Sequence, residues 1–174
     1  MSYENNNYGI MDKICCIFDL EYFRGSKLVC ELGWINMNNG KSGSIQFIRK
    51  SNQRSLQYGE NCNHSTMDIG DLSFEQIMAE PSMLGQLLRN KLFFIYESCR
   101  TPTKNVIAYR GGGVEKAIVA PLTAPYINFE LYNCPMIDQI SRISYPTCGY
   151  HRFRHLCCPL AEVHAFRTWL INRL

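Results

Sequence analysis

The most constraining feature of this chain is the short apolar run at residues 13–20, which reads Lys-Ile-Cys-Cys-Ile-Phe-Asp-Leu. An apolar run of this length predicts a β-strand that is buried on both faces. Such a strand must lie in a sheet that other parts of the chain cover on both sides. The sequence is therefore expected to supply further strands beside this one and helices above and below it.

The rest of the chain supplies those elements in a definite order. Further strands are predicted at 28–37, 43–49, 105–109 and 126–131, with a hairpin turn at residues 38–40, Asn-Asn-Gly. Helices are predicted at 82–98, 114–119, 135–143 and 161–174. The order β-β-β-α-β-α-β-α-α is typical of an α/β protein with a mixed sheet of about five strands and flanking helices. This order resembles that of an RNase H-like domain.

Length and composition bound the class of protein. The 174 residues, 46% of them hydrophobic, predict one domain over 13–174 after a flexible tail at 1–12. The net charge of +3 permits a nucleic-acid partner without requiring one. Nine cysteines and no recognisable secretory leader predict reduced thiols and a cytoplasmic or nuclear location. No apolar run is long enough to span a membrane, so no membrane partner is expected.

Acidic residues at two places are candidate ligands for a divalent cation. Asp19 and Glu21 end the first predicted strand, and residues two apart in a strand point to the same side. Glu115 follows three glycines at the start of a predicted helix, from which its carboxylate would project toward the strand ends. Carboxylate oxygens are ligands that Mg²⁺ prefers. The competing interpretation is an ordinary strand end, with Glu115 a surface residue favoured by the helix dipole.

A segment rich in cysteine and histidine precedes the last predicted helix. Cys148 and His151 lie in a polar, turn-rich stretch, and the pair Cys157-Cys158 follows at the helix start. Thiolate and imidazole are ligands that zinc prefers, and Glu115 is the most attractive donor for a fourth position. In the competing interpretation, Cys157 and Cys158 are small buried hydrophobic residues.

Basic residues interleaved with aromatic ones border the predicted cleft. Cations beside exposed rings suit phosphate contact and base stacking on single strands, so single-stranded RNA is a candidate partner. The candidate nucleic-acid-binding residues are Lys104, Arg110, Arg152 and Arg154. A solvated basic rim with no ligand explains the same composition equally well.

Three segments resemble the motifs of the DEDDh exonuclease superfamily. Asp19-Leu-Glu21 resembles the first motif, and the stretch from Val106 to Glu115 resembles the second, with Val-Glu where Phe-Asp is usual. The third motif carries a His and then an Asp on the last helix. In this chain Cys158 falls at roughly the His place and Val163 at the Asp place, with Glu162 beside it.

A Glu, Cys, His, Cys set in place of catalytic residues is similar to the Maelstrom domain. That resemblance implies an RNase H-like fold with a structural zinc ion and a role in small-RNA (piRNA-type) silencing of transposons. It also implies the ligand set Glu115, Cys148, His151 and Cys158, with Cys157 as the near alternative. The leading prediction is therefore a zinc-stabilised, catalytically degenerate, RNA-binding domain. Silencing or RNA-processing proteins would be its partners.

The alternative prediction is an active metal-dependent 3′–5′ exonuclease. Asp19, Glu21, Glu115 and Glu162 would then bind two Mg²⁺ or Mn²⁺ ions, and His151 or His155 would orient the attacking water. A third interpretation is a protein-binding scaffold with neither RNA nor zinc.

Overall fold

The computed structural model describes residues 8–22, 28–47, 80–140, 145–147 and 158–174. Within these ranges the chain forms five strands and four α-helices. The strands are β1 (Ile14–Tyr22), β2 (Val29–Asn36), β3 (Ser42–Gln46), β4 (Val106–Tyr109) and β5 (Tyr126–Asn128). The helices are α1 (Pro81–Cys99), α2 (Gly113–Val119), α3 (Ile137–Ile140) and α4 (Pro159–Ile171).

The sheet has β1 at its centre and the strand order β3-β2-β1-β4-β5. β1 pairs antiparallel with β2, and β2 pairs antiparallel with β3. On the other side, β1 pairs parallel with β4, and β4 pairs parallel with β5. The predicted class, an α/β fold with a mixed sheet of five strands and flanking helices, is confirmed. It is consistent with an RNase H-like fold.

The two faces of the sheet hold separate apolar clusters. On one face, Phe18 and Leu20 of β1 are buried together with Leu88 and Leu92, which lie on the predicted apolar stripe of α1. On the other face, Ile17 is buried in a cluster that includes Val163, Phe166 and Trp169 of α4. The run predicted to be buried on both sides is therefore covered on both sides. No helix among the described residues is both long and apolar enough to cross a membrane.

Three of the boundaries that the structure corrects have a clear physical cause. Residues 8–12 of the predicted tail belong to a 3-10 helix, Tyr8–Lys13, because Ile10 and Met11 are buried in the cluster on the α4 face. β5 ends at Asn128, because the Asn128 side chain accepts a hydrogen bond from the Glu130 amide and starts a 3-10 turn. α4 begins at Pro159 rather than at 161, since proline is well suited to the first turn of a helix.

Candidate active site at the end of the sheet

Asp19 lies near the end of β1 on the face covered by α4. Its backbone is in register with Gly33 of β2, and Glu21, two residues on, is in register with Glu31. The Asp19 side chain is only 4% exposed, whereas Glu21 is partly exposed. Alternation along the strand therefore places one buried and one half-buried carboxylate at the same edge, as the sequence predicted.

The first turn of α4 lies directly on β2 beside Asp19. A Cβ atom at Gly33 would stand 2.4 Å from the carbonyl carbon of Pro159, so the helix backbone fills the space that a side chain would need. The Glu162 amide donates to the Cys158 carbonyl over 3.0 Å, which closes this first turn. Glu162 thereby reaches Asp19, and the two carboxyl groups share a side-chain hydrogen bond.

Glu115 reaches the same edge of the sheet from α2. A tight turn after β4 leads into this helix, and Asn128 of β5 holds the turn: its Nδ2 donates to the Gly111 carbonyl over 2.7 Å, and its Oδ1 accepts from the Gly111 amide over 3.3 Å. A Cβ atom at Gly111 would lie 2.6 Å from Cδ of Glu115, so the carboxylate lies against bare backbone. Glu115 is 5% exposed and is therefore not the surface residue of the competing interpretation.

The pKa values of these carboxyl groups show that they act on one another. Burial raises the pKa of Asp19 well above its ordinary value, and the charges of Glu162, Glu115 and Glu21 raise it further. Burial also raises the pKa of Glu115 to about 7; backbone hydrogen bonds oppose this shift, and the Glu162 charge adds to it. Like charges in a water-poor site favour the protonated form. Asp19, Glu115 and Glu162 therefore form one cluster, called here the carboxylate cluster, with Glu21 at its rim.

The carboxylate cluster has the donor chemistry of a site for hard divalent cations. Asp19 Oδ2 and Glu115 Oε2 are buried and have no hydrogen-bond partner in the described part of the chain. Carboxylate oxygens of this kind fit Mg²⁺ or Mn²⁺. Among the described residues, no three acidic, histidine or cysteine side chains are already arranged to hold a metal ion. A cation would therefore compete with the proton that Asp19 and Glu162 share.

The acidic side chain that α4 brings to Asp19 is Glu162, one residue before the acidic place expected from the resemblance. Val163, at the expected acidic place, is fully buried in the apolar cluster beneath α4. Its neighbour Glu162 is the residue that faces Asp19. The rotation of α4 about its axis therefore turns Val163 into the apolar cluster and Glu162 toward Asp19.

The predicted zinc ligands are only partly within the described residues. Cys158 is completely buried and lies in an apolar cluster with Ile137, Ala161 and Ala165, as expected for a cysteine that behaves as a small hydrophobic residue. Cys148, His151 and the alternative ligand Cys157 lie outside the described residues, as does His155. The zinc set as a whole therefore stays a prediction.

The candidate nucleic-acid-binding residues are in different places. Lys104 precedes β4, whereas Asp19 lies near the end of the parallel strand β1, so Lys104 is at the opposite end of the sheet from the carboxylate cluster. Arg110 follows β4 at the correct end; its Nε donates to the Cys134 carbonyl over 2.8 Å, and its Nη2 lies 3.9 Å from Glu130. Arg152 and Arg154 lie outside the described residues.

Two residues that position the cluster were not singled out from the sequence. Gly33 could have been found, because glycine inside a strand often marks a close approach of another backbone. Asn128 gave no signal, since an asparagine after a short strand is usually an ordinary turn residue.

No protein-family model, curated protein or solved structure matches the chain. The functional conclusion therefore depends on the residues and geometry described above.

Glu115 should make the stability of the protein depend on pH. Its pKa is about 7 in the folded protein against an ordinary 4.5, so between these values the folded state binds more protons than the unfolded chain. The stability that protonation contributes is fully present below pH 4.5 and is lost as the pH rises through 7. Through Glu115, the free energy of unfolding should fall by about 3 kcal/mol over this range.

Denaturant unfolding at about pH 5 and about pH 8 measures this dependence. Glu115→Gln should reduce the difference by the share of Glu115, whereas Glu97→Gln, which alters an exposed pair with Arg100, should leave it as in the wild type. An unchanged pH dependence in Glu115→Gln would contradict the assignment.

Proposed function

We propose that this chain is a metal-dependent nuclease that cleaves phosphodiester bonds in single-stranded nucleic acid, with RNA as the first substrate to test. The observation that carries the proposal is the convergence of Asp19, Glu115 and Glu162 from β1, α2 and α4. Two buried carboxyl groups, Asp19 and Glu115, with the half-buried Glu162 beside them oppose stability, and strongly perturbed pKa values concentrate at functional sites. This favours the active alternative over a catalytically degenerate domain.

Each residue of the carboxylate cluster has a role in cation binding. Asp19 and Glu115 would hold the cation through their buried oxygens, the Glu162 carboxylate beside Asp19 would add to this donor set, and Glu21 lies at the rim. Bound Mg²⁺ or Mn²⁺ supplies Lewis acidity and a water of lowered pKa. The acidic side chains alone repel a phosphodiester anion, so substrate binding and cation binding are coupled.

A cleavage assay tests the proposal directly. Single-stranded RNA and DNA oligonucleotides, labelled at the 5′ end, are incubated with the full chain in Mg²⁺, in Mn²⁺ or in EDTA. We expect metal-dependent products that shorten from the 3′ end, as in the exonucleases that the motifs resemble. Intact substrate in both metals, with protein shown to be folded, would contradict the proposal.

A second candidate function is a zinc-stabilised RNA-binding domain in small-RNA silencing or RNA processing, in the cytoplasm or nucleus. One observation favours it: Glu115 and Cys158 both interact with Glu162, which lies in the first turn of α4. The Glu162 amide donates to the carbonyl of Cys158, and Glu115 acts electrostatically on the carboxylate of Glu162. With Cys148 and His151, these residues would give a closed site with four protein ligands and a structural ion.

Zinc removal separates the two candidates. Under the second one, the purified protein contains one zinc ion per chain, and a chelator lowers its Tm by about 10 °C or more. Cys158→Ser and Glu115→Gln should both lose zinc, whereas Asp19→Asn should keep it. Metal analysis with a full zinc content in Glu115→Gln would rule out Glu115 as a zinc ligand, and the absence of zinc from the wild-type protein would exclude this candidate.

A further inference from the structure

A bulge near the start of β1 brings two neighbouring thiols to one face of the sheet. The register with β4 shifts between Ile14 and Cys16, so Cys15 is an extra residue in this strand. Side chains normally alternate between faces, but here Cys15 and Cys16 are both buried in the cluster on the α1 face. Their sulfur atoms are 4.0 Å apart, and the Cys15 thiol donates to the Val106 carbonyl over 3.4 Å.

A third thiol meets this pair from the end of α1. Cys99 is the last residue of that helix, and its side chain is buried in the same cluster as Cys15 and Cys16. The Cys99 and Cys16 thiols act on each other's pKa in this cluster. The helix end is held in place, because Asn38 Nδ2 donates to the Cys99 carbonyl over 2.9 Å and the Tyr96 hydroxyl donates to the Asn105 carbonyl over 2.8 Å. The approach of Cys99 to Cys16 is thus fixed by contacts from two other segments.

The members of this pair differ in their acidity. A hydrogen bond from Cys16 and a weaker effect of the Ser98 hydroxyl together lower the pKa of Cys99 to about 7, although burial acts against both. The pKa of Cys16 is raised, first by its hydrogen bonds to the neighbouring thiols and then by burial. Near neutral pH, Cys99 is therefore the nucleophile and Cys16 the thiol that donates to it.

We propose that Cys99 and Cys16 form a peroxide-sensitive dithiol that closes to a disulfide between the end of α1 and β1. This site is independent of the nuclease proposal, because Cys16 points to the α1 face, whereas Asp19 lies on the face covered by α4. Cys30 and Cys134 are less suited to react with peroxide. Burial raises the pKa of Cys30 and of Cys134, and each donates to a backbone carbonyl.

The oxidation balances with hydrogen peroxide as the oxidant. The Cys99 thiolate attacks one peroxide oxygen, the O–O bond breaks, and the departing hydroxide takes a proton to leave as water. The Cys16 sulfur then attacks the sulfenic sulfur of Cys99. The S–O bond breaks, the S–S bond forms, and the oxygen leaves with the Cys16 proton as a second water. Two thiols and one peroxide thus give one disulfide and two waters.

Access to Cys99 comes from its place at the helix end. The side chain itself is 2% exposed, but Ser98 and Arg100 on either side of it are exposed. Helix ends open more readily than helix centres, and peroxide is a small oxidant. We expect transient opening of the last turn of α1, against the contacts that hold it, to admit peroxide.

Peptide mapping of the folded, reduced full chain tests the proposal. After brief treatment with hydrogen peroxide at neutral pH, remaining thiols are alkylated and the protein is digested with trypsin. Cleavage after Lys13, Arg24, Lys91 and Arg100 places Cys15 and Cys16 in peptide 14–24 and Cys99 in peptide 92–100. We expect these two peptides to be the predominant cross-linked pair, and to separate on reduction.

Variants identify the bond within that pair. Cys15→Ser and the matched control Cys134→Ser should keep the cross-link, whereas Cys16→Ser should lose it. The wild-type map needs no variant to fold, so a map without the 14–24 to 92–100 link would overturn the proposal. A link that persists in Cys16→Ser and disappears in Cys15→Ser would overturn it as well.

Discussion

Replacement of Asp19 with Asn is expected to lower kcat/KM for metal-dependent cleavage by about a thousandfold, with the fold intact. Asp19 is the buried centre of the carboxylate cluster, with one oxygen lacking any partner among the described residues. An amide is a much weaker ligand for a divalent cation than a carboxylate. Single-turnover cleavage of a labelled single-stranded RNA in Mn²⁺ measures the loss.

The stability of Asp19→Asn distinguishes a lost active site from a damaged fold. Asn keeps the size of Asp and still offers a donor to Glu162, while the repulsion among the carboxylates falls. The Tm of the variant at about pH 8 should therefore equal or exceed that of the wild type. Asp138→Asn is the matched control, since Asp138 is exposed on α3 and its loss should leave cleavage unchanged. An Asp19→Asn protein with more than about a tenth of wild-type activity would contradict the assigned role.

The fold could be predicted largely from patterns along the chain. The two-sided burial of β1 and the apolar stripe of α1 are local in sequence, and both are present in the structure. The prediction of secondary structure is wrong where a contact with a distant part of the chain orders a segment. Ile10 and Met11 stand in a short, polar, Asn-rich segment, but packing against the cluster beneath α4 orders them.

The candidate site could be predicted in part for the same reason. Side-chain alternation in a strand predicted that Asp19 and Glu21 share one face, and the glycine turn predicted that Glu115 projects toward the strand ends. Glu162 depends on how α4 is rotated on the sheet, and that rotation is set by the contact between Gly33 and Pro159. Gly33 and Pro159 are far apart in sequence, so the periodicity of either segment alone cannot predict their contact. The convergence of three thiols likewise depends on a bulge in β1, and no residue type in that strand predicts a bulge.

Replacement of Gly33 with Ala should disturb both the fold and the carboxylate cluster. The new Cβ would stand 2.4 Å from the Pro159 carbonyl carbon and 2.6 Å from the Leu160 nitrogen. These are backbone atoms that no side-chain rotation can move, so α4 itself must shift away from β2. Overpacking of this kind costs about 3 kcal/mol, at the upper end of the usual range. For a chain of this length the Tm should fall by about 6 to 12 °C.

The same shift should weaken cation binding, because it carries Glu162 away from Asp19. Mn²⁺ titration of folded Gly33→Ala, followed by calorimetry at a temperature well below its Tm, should show an affinity lowered by about tenfold or more. Gly9→Ala is the matched control: its Cβ would meet nothing within 4 Å, so both the Tm and the Mn²⁺ affinity should match the wild type. A Gly33→Ala protein that is as stable as the wild type would contradict the close contact of α4 with β2. One that is destabilised but binds Mn²⁺ with full affinity would show that Glu162 takes no part in holding the cation.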